Sequence, residues 1–483
     1  MRILAIDQGT SNTKALVVDG SGHVLARASR ATVTHYPHPG WAEQSAGAIW
    51  LATRQAIDAV ATEVGPETIT ALAIANQRET LVTWDAATSA PVASAILWQC
   101  RRTATDCAAL SAAGHNETVE GATGLAINPL FPATKLAWVL REVPQARALL
   151  AQGRLRAGTV DAWLLWNLTG GTSFATDHSN ASRTQLYDTE TLTWSAGLSE
   201  IFGADVACLP QALPSDSRFG DTAEETTLLP AGVPIHAMMG DSHAALYGHG
   251  IRVPGIVKAT YGTGSSLMAL TPERSRSHHG LSSTIAWSDQ NGPVYALEGN
   301  ITVSAQAAAF MATLLGMTGA VELSDLAQSV PHSGGVVFVP ALAGLGAPHW
   351  NDSATGLVTG MTHGTLPAHL ARATFEAIAL QIADVFTAMS ADAGMPLNGL
   401  RADGGASSNT FLMQLQADVL GQEVAVCAVE DVGALGAAVM AAAALGHTLE
   451  LPKPGRVFSP SKDRDAAQKL QSAWRAALRK SVC

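Results

Sequence analysis

The stretch LAIDQGTSNTK, Leu4 to Lys14, ends a short apolar run on Asp7, turns through Gly9, Thr10, Ser11 and Asn12, and continues to Lys14. Such a turn directs several backbone N–H groups and hydroxyls into one concavity, with Lys14 adding charge, which are the groups that phosphate oxygens require. A plain tight hairpin has the same composition. A second turn of this kind, TYGTGSS, holds Thr263 between two apolar runs. Neither is a P-loop, because GxxxxGK[ST] does not occur, and the GLG at Gly344–Gly346 is not a dinucleotide fingerprint. In IHAMMGDSHAALYG, Asp241 leaves the end of an apolar run and enters a Gly/Ser turn. A carboxylate there can accept the proton of an attacking hydroxyl or simply cap a helix.

Two further clusters suit a polyhydroxylated ligand. IANQRETLV places Arg78 and Glu79 behind an apolar run, and ILWQCRR places Trp98 beside Gln99, Arg101 and Arg102. Adjacent Arg and Glu donate to and accept from neighbouring hydroxyls, while an indole covers the carbon face of a polyol. A surface ion pair and a core tryptophan would have the same spacing.

These residues need strands that end in turns. Short β-branched runs alternate along the chain with longer Ala/Leu patterns, which reads as α/β. The pattern repeats, for each half of the chain has its own strand–turn–strand hairpin. A third junction, LRADGGASSNTFLMQLQADVL, predicts a strand ending at Asp403 and a helix opening after Gly404 and Gly405. Glycines and a proline in GHGIRVPG interrupt both patterns, so the domains are expected at 1–248 and 249–483. The apolar stretch Val432–Gly446 is shorter than the ~20 residues of a membrane span and reads as a buried helix.

The net charge of −11 argues against nucleic acid or an anionic membrane as partner, since both need a basic surface. Five scattered cysteines, Cys100, Cys107, Cys208, Cys427 and Cys483, lack disulfide-framework or zinc spacing. Asp7 arrives too early for a signal-peptide apolar region, so the expected compartment is the cytoplasm.

The chain resembles the FGGY carbohydrate kinase family, and within it the glycerol kinase branch. The matching segments, in order, include DQGTSNTK, YPHPGWAEQ, NQRET, WQCRR, DHSNASRT, GDSHAALYG, TYGTGSS, YALEG, GLGAPHW, LRADGGASSNTFLMQ and GALGAA. The resemblance implies two ribonuclease-H-like domains of the actin and hexokinase type flanking a catalytic cleft, with ATP and Mg2+ as cofactors and a homo-oligomer, dimer or tetramer. It implies Asp241 as catalytic base and Asp7 with Asp241 near the metal, through water. Thr10, Ser11, Asn12, Lys14, Thr263, Gly405 and Asn409 match nucleotide-binding positions, and Arg78, Glu79 and Trp98 match the polyol pocket.

Departures bear on the acceptor. Where glycerol kinases carry a substrate-bonding tyrosine this chain has Leu130; Ser242 replaces a glutamine, and Ser266 an aromatic. Ala305 and Ala309 replace two nucleotide contacts. The expected reaction is transfer of the γ-phosphate of ATP to a primary hydroxyl of a small polyol or sugar. Glycerol is the first expected acceptor and a tetritol, pentitol or ketopentose the alternative. A non-catalytic, nucleotide-dependent sugar-binding regulator would keep the pocket but lose Asp241 or Asp7, and both are present.

Overall fold

The computed structural model describes residues 1–451, 453–461 and 464–481, so Cys483 lies outside the described residues. Cys100, Cys107, Cys208 and Cys427 are free thiols. The chain forms two compact units. The first comprises Met1–Ile251, Ser283–Tyr295 and Asp431–Leu451, and the second Arg252–Ser282, Ala296–Glu430 and the stretch after Leu451.

The first unit is built on a six-stranded sheet. Strands β1 (Arg2–Gln8) and β2 (Asn12–Asp19) form the antiparallel hairpin expected around Thr10, and β3 (Val24–Ala31) continues the meander. Leu4, Ile6, Ala15 and Val17 alternate onto one face of the hairpin and are buried. Helix α1 (Ala46–Val64) joins the same core with Ile49, Ile57, Val60 and Ala61, a helical spacing, and Ser45 caps its first turn. Strand β4 (Ala71–Asn76) is buried at every position and runs parallel to β1. Burial on both faces is what its uninterrupted apolar sequence requires. With β5 (Arg218–Asp221) and β6 (Pro234–Gly240) the order is β5-β6-β4-β1-β2-β3. Helices α2 (Pro132–Glu142), α3 (His178–Ala181) and α4 (Asp241–Gly248) also belong to this unit.

A second, seven-stranded sheet repeats the pattern. Strands β7 (Val257–Tyr261), β8 (Ser265–Leu270), β9 (Ser282–Asp289), β10 (Gly292–Ile301), β11 (Leu400–Asp403), β12 (Val424–Val426) and β13 (Arg456–Phe458) form one sheet. Its order is β9-β10-β8-β7-β11-β12-β13. In both sheets a hairpin strand pairs antiparallel on one side and parallel on the other, followed by a second parallel strand. This is the ribonuclease-H-like arrangement, present twice. Helices α5 (Pro367–Ala393) and α6 (Thr410–Leu420) pack their apolar residues into the core of this unit.

One local expectation is corrected. No α-helix opens directly after Gly405; a single 3-10 turn, Gly405–Ser408, intervenes, and α6 starts at Thr410. Gly404 sits at φ +87° with Tyr261 O 2.6 Å from where its Cβ would be, which bends the chain before Asn409 can cap the helix.

Helix α7 (Val432–Ala444) is the buried helix read from the sequence, and it belongs to the first unit although it lies far downstream. Among the described residues no helix is long and apolar enough to cross a membrane. Small residues bring α7 against α4 at backbone distance. A Cβ on Gly436 would lie 1.8 Å from Ala244 O, and one on Gly248 2.3 Å from Val432 O. Gly436→Ala therefore forces the helices apart and should lower stability by ~1–3 kcal/mol, the usual cost of overpacking. Gly121→Ala, a helical position with open space around its Cβ, serves as the control. Urea unfolding should move the midpoint of the first variant only; equal midpoints for the two would refute the close packing.

Candidate active site

The hairpin between β1 and β2 is closed by Gly9 N–H donating to Asn12 O at 2.9 Å. The Thr10 carbonyl accepts from Gln44 Nε2 at 2.6 Å and Thr32 Oγ1 at 2.7 Å. Its hydroxyl donates to Gln77 Oε1 at 3.2 Å and accepts from Trp98 Nε1 at 2.9 Å. Thr10 thus joins the phosphate-type turn to the indole read as a polyol cover. Ser11 and Asn12 are exposed. Lys14 Nζ lies 2.9 Å from Asp431 Oδ1, with Arg27 3.9 Å from the other oxygen, so Asp431 offsets its charge.

Asp7 and Asp241 approach the first turn of α7. The position a Cβ would take on Gly433 is 3.0 Å from Asp7 Oδ2 and 3.5 Å from Asp241 O. Only a glycine leaves that space open, and what borders it is carboxylate and carbonyl oxygen. Among the described residues no group of three or more His, Cys, Asp or Glu is arranged for a metal. The oxygens that border this space, one carboxylate and one carbonyl, are hard donors of the type that suits Mg2+ with the rest of its shell completed by water or phosphate.

The cluster read from the sequence as an acceptor wall starts where β4 ends. Arg78 is buried; its Nε donates to Asp241 Oδ1 at 3.1 Å and its Nη2 to Ser242 Oγ at 3.3 Å. Glu79 is also buried, 3.9 Å from Arg78 Nη1, and its Oε1 accepts from Arg183 Nε at 2.7 Å. Its backbone is left-handed, φ +60°, a conformation that a non-glycine residue keeps only when its surroundings enforce it. Lys135, fully buried, donates to Glu79 O at 2.8 Å and to Leu130 O at 2.6 Å. Burial pushes the Lys135 pKa down to about 7, with the Glu79 carboxylate pulling the other way. The Trp98 side of the wall stays open, the residue being 38% exposed. The alternatives of a surface ion pair and a core tryptophan are both excluded: the ion pair is inside and the indole outside.

Asp241 is the first residue of α4, and Gly240 holds the cap position. Its carboxylate accepts from its neighbour's Ser242 N–H at 2.6 Å and remains 38% exposed. Gln99 bonds Tyr36, and Arg102 lies over Trp41 and Trp138 at 3.9 and 4.6 Å and pairs with Glu43, so these two residues serve local packing.

In the second unit, Thr263 tops the hairpin of β7 and β8, where Gly262 N–H donates to Gly264 O at 3.0 Å, and its own carbonyl accepts from Ser304 N–H at 2.9 Å. Ser266 Oγ donates to the buried Glu298 at 3.1 Å. Gly405 lies in the 3-10 turn. The Asn409 amide is occupied, capping α6 through Leu412 N–H at 2.9 Å and donating to Ser324 Oγ at 3.0 Å. The first unit thus gathers Asp7, Thr10, Lys14, Arg78, Glu79, Trp98, Leu130, Asp241 and Ser242, while Thr263, Ser266, Gly405 and Asn409 lie in the second.

Gln44, Gln77, Lys135 and Arg183 were not singled out by sequence reasoning. Gln77 and Arg183 lie inside the motifs NQRET and DHSNASRT. The signal for Lys135 is a lone cation on the face that Pro132, Leu136 and Val139 make apolar.

The model of the FGGY family of carbohydrate kinases, N-terminal domain, matches residues 2–248, and that of the C-terminal domain residues 257–445. The chain is 44% identical over 484 residues to an apulose kinase of Pectobacterium atrosepticum, covering 99% of this chain and 97% of the relative. It is 42% identical over 489 residues to a glycerol kinase of Symbiobacterium thermophilum, covering 99% and 98%. A crystal structure of Plasmodium falciparum glycerol kinase with ADP superposes with a TM-score of 0.94 at 30% identity, over 100% of this chain and 98% of that one. With both family models matched in order along the chain, it belongs to the FGGY family of carbohydrate kinases.

Proposed function

We propose that the chain transfers the γ-phosphoryl group of ATP to a primary hydroxyl of a small polyol or ketose, with Asp241 as the general base. One observation carries this reading: a single guanidinium, Arg78, bonds both the exposed Asp241 carboxylate and Ser242 while lying against Glu79. A base is thereby set beside donors and acceptors for vicinal hydroxyls. Glu79 accepts from one hydroxyl, Arg78 donates to its neighbour, and Trp98 covers the carbon chain. Asp241 takes the proton of the reacting hydroxyl as the oxygen attacks phosphorus, and Arg78 keeps the carboxylate aimed. Mg2+, held at Asp7 and Asp241 through water, would supply charge neutralisation on the phosphates. The remaining work is positioning: backbone N–H groups of the Thr10 turn and the Lys14 ammonium bind phosphate oxygens, and the Thr263 turn of the second unit is of the same kind.

The acceptor is proposed to be longer than glycerol, with apulose and other four- or five-carbon ketoses or polyols the first candidates. Support comes from the 44% identity to a relative named apulose kinase and from the wall itself. Leu130 offers no side-chain hydrogen bond, and the Ser242 hydroxyl is short and already shared with Arg78. A three-carbon substrate would leave such a pocket partly unfilled, which costs discrimination and not chemistry.

Asp241→Asn should keep the fold and nucleotide binding while lowering kcat by ~10²–10⁴, the usual cost of losing a general base. A near-normal kcat in that variant would remove Asp241 from the role. In an ATP-coupled assay across glycerol, tetritols, pentitols and ketopentoses including apulose, a longer acceptor should equal or exceed glycerol in kcat/KM. Leu130→Tyr with Ser242→Gln should then raise kcat/KM for glycerol and lower it for the longer acceptor. A wild-type preference for glycerol beyond about a hundredfold, ~2.7 kcal/mol of discrimination, would overturn the longer-acceptor reading.

A further inference from the structure

The most unusual group near the acceptor wall is one that the chemistry above does not use. Lys135 is fully buried, one turn into α2, whose first residue is Pro132. A cation there lies near the positive end of the helix dipole and away from water, so helix stability and burial both favour an apolar side chain at this place. Its buried neighbours on that face, Pro132, Leu136 and Val139, are apolar. The charged groups around it are Glu79 and Arg102, with the thiols Cys100 and Cys107. The position of a buried amine is explained by what it bonds: the carbonyls of Glu79 and Leu130, at 2.8 and 2.6 Å. Those residues come from two separate segments, the connection after β4 and the loop before α2.

We propose that Lys135 is a positioning residue for acceptor specificity: by bonding both carbonyls it fixes the separation between the polar wall at Glu79 and the apolar wall at Leu130. The inference rests on the reading of Glu79 and Leu130 as acceptor walls. Glu79 needs holding at both ends, because its left-handed backbone would relax if only the carboxylate were restrained. Arg183 restrains the carboxylate and Lys135 the carbonyl. Leu130 has no polar side chain to restrain it, and its carbonyl bond to Lys135 takes that part, together with the Leu130 N–H donating to Asn128 Oδ1 at 2.9 Å.

The test compares Lys135→Met, which fills the channel without a donor, with Lys135→Gln, which keeps a shorter one. For Lys135→Met the acceptor KM should rise about tenfold or more, and the ratio of kcat/KM between the best and second-best acceptor should fall at least about fivefold. The KM for ATP and the acceptor-free ATP hydrolysis rate should stay within about twofold, and the Gln variant should fall in between. A uniform loss of kcat for all acceptors, with acceptor KM unchanged, would mean a purely structural lysine and overturn the inference. So would failure of both variants to fold. Glu79→Gln and Leu130→Ala separate the two levels of the reading. If these leave acceptor KM untouched, the walls themselves are misassigned; if they raise it and the Lys135 variants do not, only the role of Lys135 falls.

Discussion

Ionisable groups withdrawn from water behind the end of β4 constrain everything around them. Arg78, Glu79, Arg183 and Lys135 are all buried, and an unpaired ion in such a place costs several kcal/mol. Each is therefore bound to a partner whose position it fixes in turn. Arg183 fixes the Glu79 carboxylate, and Arg78 fixes the Asp241 carboxylate at the start of α4. This arrangement is poor as a source of stability, since apolar residues of similar volume would often serve as well. It is effective as a source of geometry, because charges that cannot return to water have few alternative arrangements.

The same region is braced by neutral amides. Gln77 Nε2 donates to Gln8 and Gln44 at 3.1 and 3.2 Å, Thr80 Oγ1 donates to Gln77 at 3.0 Å, and Gln44 holds the Thr10 carbonyl. Trp98 closes the circuit through the Thr10 hydroxyl. The turn read as a phosphate receptor and the indole read as an acceptor cover consequently share one set of hydrogen bonds. Such shared support locks rotamers before any ligand arrives, which is what preorganisation requires.

Local composition made the hairpins, the strand-end aspartates and the doubled α/β pattern legible, because turns and strand termini are written in nearby residues. The arrangement of the charges was less so. Spacing could not say that Arg78 and Glu79 lie inside and Trp98 outside, since burial is decided by elements such as α2 and α3 that are distant in sequence. Nor could it say that Thr10 spends its hydroxyl on Trp98, or that Lys14 faces Asp431, a residue 417 positions away. The helix α7 was recognised as buried from its Ala and Gly content, but not the unit in which it is buried. Its glycines at 433 and 436 acquire meaning only beside Asp7 and Ala244.

That placement of α7 has a consequence for how the protein is made. The strands β1, β2 and β4 leave the ribosome long before the helix that packs on β1, β4 and β6. Until then the nascent first unit carries an uncovered sheet face and an α4 surface shaped to receive backbone, not side chains. The second unit, whose sheet and helices lie almost wholly between, is synthesised in the interval and has no such debt to a distant segment until its C-terminal helix. The first unit therefore stays open while most of the second is synthesised, and in that interval it is exposed to chaperones and to self-association.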